Sequence, residues 1–208
     1  MAAGMEADFD PKAGWSRTRR SSSSWATAYT STARRPSTYE EFYHPYQFYP
    51  APIFAVPRNH DGENFPAQGS LDGFVRNFCA PKTVKLPEWG DSHRTAMVQP
   101  NVYWTLATPL LNVVGLYSNV PEGGELRSPQ TDWLVHELKT LPTNAPLLVA
   151  LHHAPYSADD HHSGSAPMKA VLEAAATAAG RHPDMVRASH VHDYQRLTKR
   201  RAGGAVTP

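Results

Sequence analysis

A chain of 208 residues with 40% hydrophobic content is long enough for one ordinary domain and a short tail, with enough apolar material for a core. Lys and Arg number 20 against 19 Asp and Glu, a net charge of +1 that leaves no footprint for nucleic acid or an anionic membrane surface. The single cysteine, Cys79, rules out an internal disulfide and a cysteine-based zinc knuckle. No run approaches the roughly 18–20 apolar residues of a bilayer span, and no basic segment leads into an apolar one as in a signal peptide; a cytoplasmic location is the default expectation. Eleven histidines and 19 prolines stand out. The prolines imply a loop-rich fold, and the histidines are a first hint of metal chemistry.

In chain order, residues 15–35 are Ser/Thr/Arg-rich without an acidic residue or any helical or strand period, the composition of a disordered basic arm. From Pro36 the pattern is that of a folded protein. Ser37-x-x-Glu40 is a capping-box pattern that predicts a short aromatic helix over 39–46. The apolar run 52–57 between prolines predicts a buried strand, and 71–78 a helix. Residues 80–100 are loop-like. Strands are predicted over 102–106 and 110–117. Ser128-Pro129 opens a helix to about Lys139 with an apolar stripe of Trp133, Leu134 and Leu138. Pro146–Leu151 predicts a strong buried strand, Ser165-Ala-Pro167 opens an Ala-rich helix that Gly180 closes, and 184–188 is a short strand.

Strands and helices thus alternate, which predicts a layered α/β domain over 36–208 with function at loops after the strand C-termini. Three predicted strands run directly into histidine-bearing segments: Arg58-Asn59-His60-Asp61-Gly62, His152-His153-Ala154-Pro155-Tyr156, and Ser189-His190-Val191-His192-Asp193. Imidazole nitrogen and amide oxygen suit zinc, iron and manganese. Three loops at one sheet edge can bring Asn59, His152, His190 and His192 to one point. On an extended backbone, His190 and His192 would face the same way.

The order NHDG … VALHHAPYS … HVHDYQR resembles the calcineurin-like metallophosphoesterases, in the branch similar to purple acid phosphatases, over roughly residues 36–200. The resemblance implies a four-layer α-β-β-α sandwich, here partial, with two metal ions (Fe, Zn or Mn) on one edge. It implies that Asn59, His152 and His190 hold the second metal, with His153 as the alternative to His152, and that His192 holds the first. His60 would protonate the leaving oxygen or steady the phosphate. The implied reaction is hydrolysis of a phosphoester small molecule by a metal-bound hydroxide, with no nucleic acid or membrane as partner. Two ions about 3.5–4 Å apart would hold the attacking and leaving oxygens together.

The family's Asp-x-His motif and its early Gly-Asp motif are missing, so the first metal keeps only His192. Its glycines before Asn-His-Asp and His-x-His are Arg58 and Ser189, and Ala154 stands where proline is usual. The second reading that follows is an inactive pseudoenzyme or fragment that keeps one metal half-site. Residues 1–35 offer a source for the loss. Four TCN serine codons at Ser21–Ser24, shifted by one base, read NTC, which encodes Phe, Leu, Ile or Val. Trp25-Ala26-Thr27 can then read Leu-Gly-Asp. Residues 15–35 are therefore expected to be a frame-shifted strand and Gly-Asp motif, with Asp-x-His upstream of Met1; the gene sequence decides this.

The remaining clusters have plainer expectations. Asp159-Asp160-His161-His162 is expected as a polar rim loop, His44, His93, His136 and His182 as surface or loop residues, and the aromatic run 39–49 as core.

Overall fold

The computed structural model describes residues 38–61, 71–118, 124–200 and 206–207. The expected basic arm, its frame-shifted origin and the Ser37 cap lie outside the described residues. The chain divides into two compact units, Met1–Ala55 with Glu63–Asn101, and Val56–Gly62 with Val102–Pro208.

The first unit contains a π-helical turn, Tyr39–Tyr43, the helix α1 (Asp72–Phe78) and a 3-10 turn, Pro87–Trp89. Its apolar centre is the expected aromatic run: Phe42 and Tyr43 are fully buried, and the Phe42 ring meets Phe78 at 4.8 Å. Phe48, by contrast, is 64% exposed. Strand pairing is limited to one antiparallel bridge between Cys79 and Val98 among the described residues. Side chains take its place. Arg94 donates to the carbonyls of Tyr46, Tyr49 and Ala51 at 3.2, 2.9 and 2.6 Å. Gln99 accepts the Ala55 N–H and donates to the Ala55 carbonyl, at 2.9 and 3.1 Å.

This corrects the strand expected over 52–57. The segment belongs to no ladder. Pro50, Pro52 and Pro57 have no N–H to donate, so a ladder could not run through it.

The second unit is built on a four-stranded mixed sheet in the order β1 (Trp104–Ala107), β2 (Asn112–Gly115), β3 (Leu147–His153), β4 (Met185–Ser189). The β1–β2 pair is antiparallel, and β2–β3 and β3–β4 are parallel. Each parallel step is crossed by a helix, α2 (Ser128–Thr140) and then α3 (Ala166–Ala179). Both helices contribute to one cluster with the same alternate residues of β3, so they lie on one face of the sheet, where they pack together. Alternate residues of β3 (Leu147, Val149 and Leu151) join Leu134 and Leu138 of α2 and Met168 and Leu172 of α3 in one buried cluster.

The helix ends follow local chemistry. Ser165 caps α3 by accepting the Met168 N–H, and Gly180 ends it in the left-handed region at φ 67°. α2 starts one residue earlier than expected, with Arg127 as the flanking residue and no side-chain cap. Asp184 sets the β3–β4 register: its carboxylate accepts the Leu147 N–H at 2.8 Å and its own N–H returns to the Leu147 carbonyl at 2.9 Å.

The fold class is α/β. A two-stranded ribbon, β5 (Lys199–Arg200) with β6 (Val206–Thr207), completes the described strands. No helix among the described residues is long and apolar enough to cross a membrane.

Candidate metal centre

The buried strand β3 ends at His152 and His153, which are 1% and 2% exposed. The ladder beside them is extended past β2 by Leu116, whose N–H reaches the Ala150 carbonyl at 2.8 Å. Gln130 of α2 then stands in for a strand, its amide accepting the Tyr117 N–H and donating to the Tyr117 carbonyl, both at 2.8 Å. This brings Ser118 beside His153. On the other flank the β3–β4 register shifts between Ala150 and His153, so that His153 pairs with Ser189.

Asn59 and His60 arrive on a 3-10 turn, Asn59–Asp61. Asp61 builds that turn: its carboxylate accepts the Arg58 N–H at 2.9 Å while its own N–H reaches the Arg58 carbonyl at 3.1 Å. The side chain thus satisfies a backbone donor that the turn leaves over.

These segments meet at His152. Its Nε2 is 2.9 Å from Asn59 Oδ1 and 3.2 Å from His190 Nδ1, and its Nδ1 is 2.9 Å from Ser189 Oγ. The His152, His153 and His190 rings are mutually 4.9 Å apart, and one ligand atom from each lies within 4.8 Å of the others. Burial first, and then electrostatic repulsion from His153, His190, Arg58 and His60, push the His152 pKa down to about 2. The ring is therefore neutral at physiological pH, the form that donates a lone pair.

Of the expected residues, Asn59, His152 and His190 are brought together, and His60 is close enough for its charge to act on His152. His153, the alternative to His152, enters the cluster alongside it. His192 is exposed, with its ring 5.4 Å from that of His162. The extended His-x-His geometry is corrected. His190 and His192 both have positive φ, 70° and 62°, and the Val191 N–H closes a tight turn onto the Ser189 carbonyl at 2.9 Å. Such φ values are uncommon outside glycine. The rings of His190 and His192 both lie against the ring of His162, at 4.9 and 5.4 Å, so the two are neighbours through that ring and not through an extended strand.

Ligand atoms arranged tetrahedrally about 2.0–2.1 Å from one cation stand about 3.3–3.4 Å from each other. Around His152 Nε2 the separations are 2.9 Å to Asn59 Oδ1 and 3.2 Å to His190 Nδ1, somewhat shorter than that spacing. Among the described residues His152, His153 and His190 form one group of His, Cys, Asp or Glu side chains whose ligand atoms lie within 4.8 Å of one another, and a carboxylate is not part of it.

Sequence reasoning missed the contributions of Ser118, Asp61 and the hydroxyl of Ser189. Asp61 had a signal in the turn-forming Asn-His-Asp-Gly run. Ser118 had none, because its place depends on Gln130 and the packing of α2.

No protein-family model and no curated protein matches this chain. Among solved structures, it is similar to GAP50, the anchor in the inner membrane complex of Plasmodium, with a TM-score of 0.45 and 13% identity over 77% of this chain and 51% of that one. The chain spans about half the length of that structure.

Proposed function

We propose that this chain is a metal-dependent phosphoester hydrolase whose cation site is formed by Asn59, His152 and His190, with His153 beside them. The observation that carries the proposal is the approach of Asn59 Oδ1 and His190 Nδ1, from two other stretches of chain, to within 3.2 Å of the buried His152 Nε2. A cation bound there supplies positive charge to phosphate oxygens and makes a bound water more acidic.

The chain's own residues do the rest. Asn59 and His152 fix the cation against the buried end of β3. His60, on the same 3-10 turn as Asn59, gives a proton to the leaving oxygen or steadies the phosphate in this reading, as the sequence resemblance implies. The two-ion centre, with His192 on the other metal, is part of this proposal through the sequence resemblance.

A second reading is a cation-binding half-site without turnover. The exposed position of His192 and the single ligand group among the described residues favour it.

Metal content and turnover of p-nitrophenyl phosphate test both readings on the full chain. Metal-dependent turnover that Asn59→Ala and His60→Ala each reduce by at least tenfold supports the hydrolase. One ion per chain, bound through His190 with no turnover at any metal tried, supports the half-site. No calorimetric binding of zinc or manganese sinks both.

A further inference from the structure

Each of the two buried histidines has a serine hydroxyl behind it. Ser189 Oγ is 2.9 Å from His152 Nδ1, and Ser118 Oγ is 3.1 Å from His153 Nδ1. Ser118 is fully buried and also accepts the His153 backbone N–H at 3.2 Å. A ring held at Nδ1 turns its Nε2 the opposite way. For His152 that way is toward Asn59 and His190.

We propose that Ser189 and Ser118 are positioning residues of the cation site, holding His152 and His153 by Nδ1 so that Nε2 is the ligand atom of each ring. This deepens the cation-site reading above and rests on it.

The choice of a hydroxyl has a chemical reason, because it both donates and accepts. When Nε2 gives its lone pair to a cation, the ring proton sits on Nδ1 and is donated to the serine oxygen. When the proton sits on Nε2 and is donated to Asn59 Oδ1, the serine O–H turns and donates to Nδ1. His152, 1% exposed, is thus paired at both nitrogens in either tautomer and keeps its orientation. A buried ring nitrogen left without a partner is costly, and a partner that can serve only one tautomer would leave one in the other.

Ser118 has the same two-way capacity. The His153 N–H takes one lone pair, which leaves one lone pair and one proton for Nδ1. Glycine, which the family resemblance places at 189, would leave His152 Nδ1 without this partner. Such partners behind metal-binding histidines fix tautomer and ring orientation and raise ligand basicity.

The test is a zinc titration by calorimetry on the full chain, combined with long-range proton–nitrogen spectra of protein labelled at histidine. In the wild type with zinc, His152 and His153 should show a protonated Nδ1 and a coordinated Nε2. Ser189→Ala and Ser189→Gly should each weaken zinc binding about 10–100-fold. Ser189→Thr, which keeps the hydroxyl, should restore it, and thermal melting in chelator should match across the series. Ser189→Ala with wild-type affinity, or coordination of His152 through Nδ1, overturns the serine assignment while zinc binding stands. A wild type that binds no zinc overturns the cation site itself. Ser118→Ala also removes the acceptor of a buried N–H and can lose the fold; the Ser189 series decides the matter without it.

Discussion

The two units of this chain are held together by different means. In the first, side chains bond to backbone: Arg94 gathers three carbonyls, Gln99 pairs with Ala55, and the Asn77 amide donates to the Gly73 carbonyl at 2.9 Å. In the second, backbone bonds to backbone across four strands and an apolar cluster seals the sheet under α2 and α3, so that its own side-chain clamp, Arg181 on the carbonyls of Leu141, Pro142 and Ala145, adds to a ladder rather than replacing one. A ladder spreads its strength over many equivalent bonds. A guanidinium that serves three carbonyls concentrates it in one residue.

That contrast predicts where single substitutions do most damage. Leu147→Ala removes a fully buried side chain from the centre of the second unit and should cost about 2–5 kcal/mol in denaturant unfolding. In the first unit the comparable loss should come from a polar residue. Arg94→Ala leaves three carbonyls without their donor and should cost about 2–3 kcal/mol, with Arg94→Lys recovering only part because an ammonium lacks the planar fork. A loss below about 0.5 kcal/mol for Arg94→Ala, the range of ordinary surface changes, would end the comparison.

The same contrast explains what the sequence disclosed. β3 and α3 were legible because the apolar run Leu147–Leu151 and an Ala-rich stretch between Ser165 and Gly180 are local signals that backbone bonding rewards. The segment 52–57 has the same apolar look, but its prolines remove the donors a ladder needs, so it is extended chain steadied by Gln99. No local pattern marks Gln99 or Arg94 for those duties, since their partners lie more than 40 residues away.

At the candidate site, residue types in motif order led to the expectation that Asn59, His152 and His190 meet, and their side chains do. The turn through His190 and His192 was not readable, because it depends on two left-handed φ values that sequence does not encode for histidine. The part played by Ser118 was hidden for another reason: it follows from how Gln130 prolongs β2.

A smaller effect tests how tightly the sheet unit couples to its histidines. Gly124 has φ 89°, and a Cβ there would stand 2.7 Å from Met168 Cγ and 2.8 Å from His153 Cβ. Gly124→Ala is therefore both strained and overpacked and should cost about 1–3 kcal/mol. Met168 sits in the core and His153 in the ligand group, so the variant should also weaken zinc binding, whereas Arg94→Ala should leave zinc binding unchanged at temperatures where it is folded. Equal loss of zinc affinity in both variants would blur the distinction between the units.

The smallest expected effect probes the first unit without altering it. Cys79 sits at the end of α1, next to the only backbone bridge described in that unit, and burial pushes its thiol up to about 11 from the usual 9.0, against a lowering by the Gln99 side chain. The thiolate is the reactive form, so two units of pKa mean about a hundredfold less of it at pH 8. Reaction with a disulfide reagent at pH 8 should be slower than in urea by at least that factor and should accelerate up to about pH 11. In Arg94→Ala the folded-state rate should rise toward the urea value, because a unit with few ladders opens locally once its clamp is gone. In Leu147→Ala, with the clamp intact, it should stay slow under conditions that keep the protein folded. If Leu147→Ala accelerates the thiol as much as Arg94→Ala does, the two units open together and their separate means of support do not give them separate stabilities.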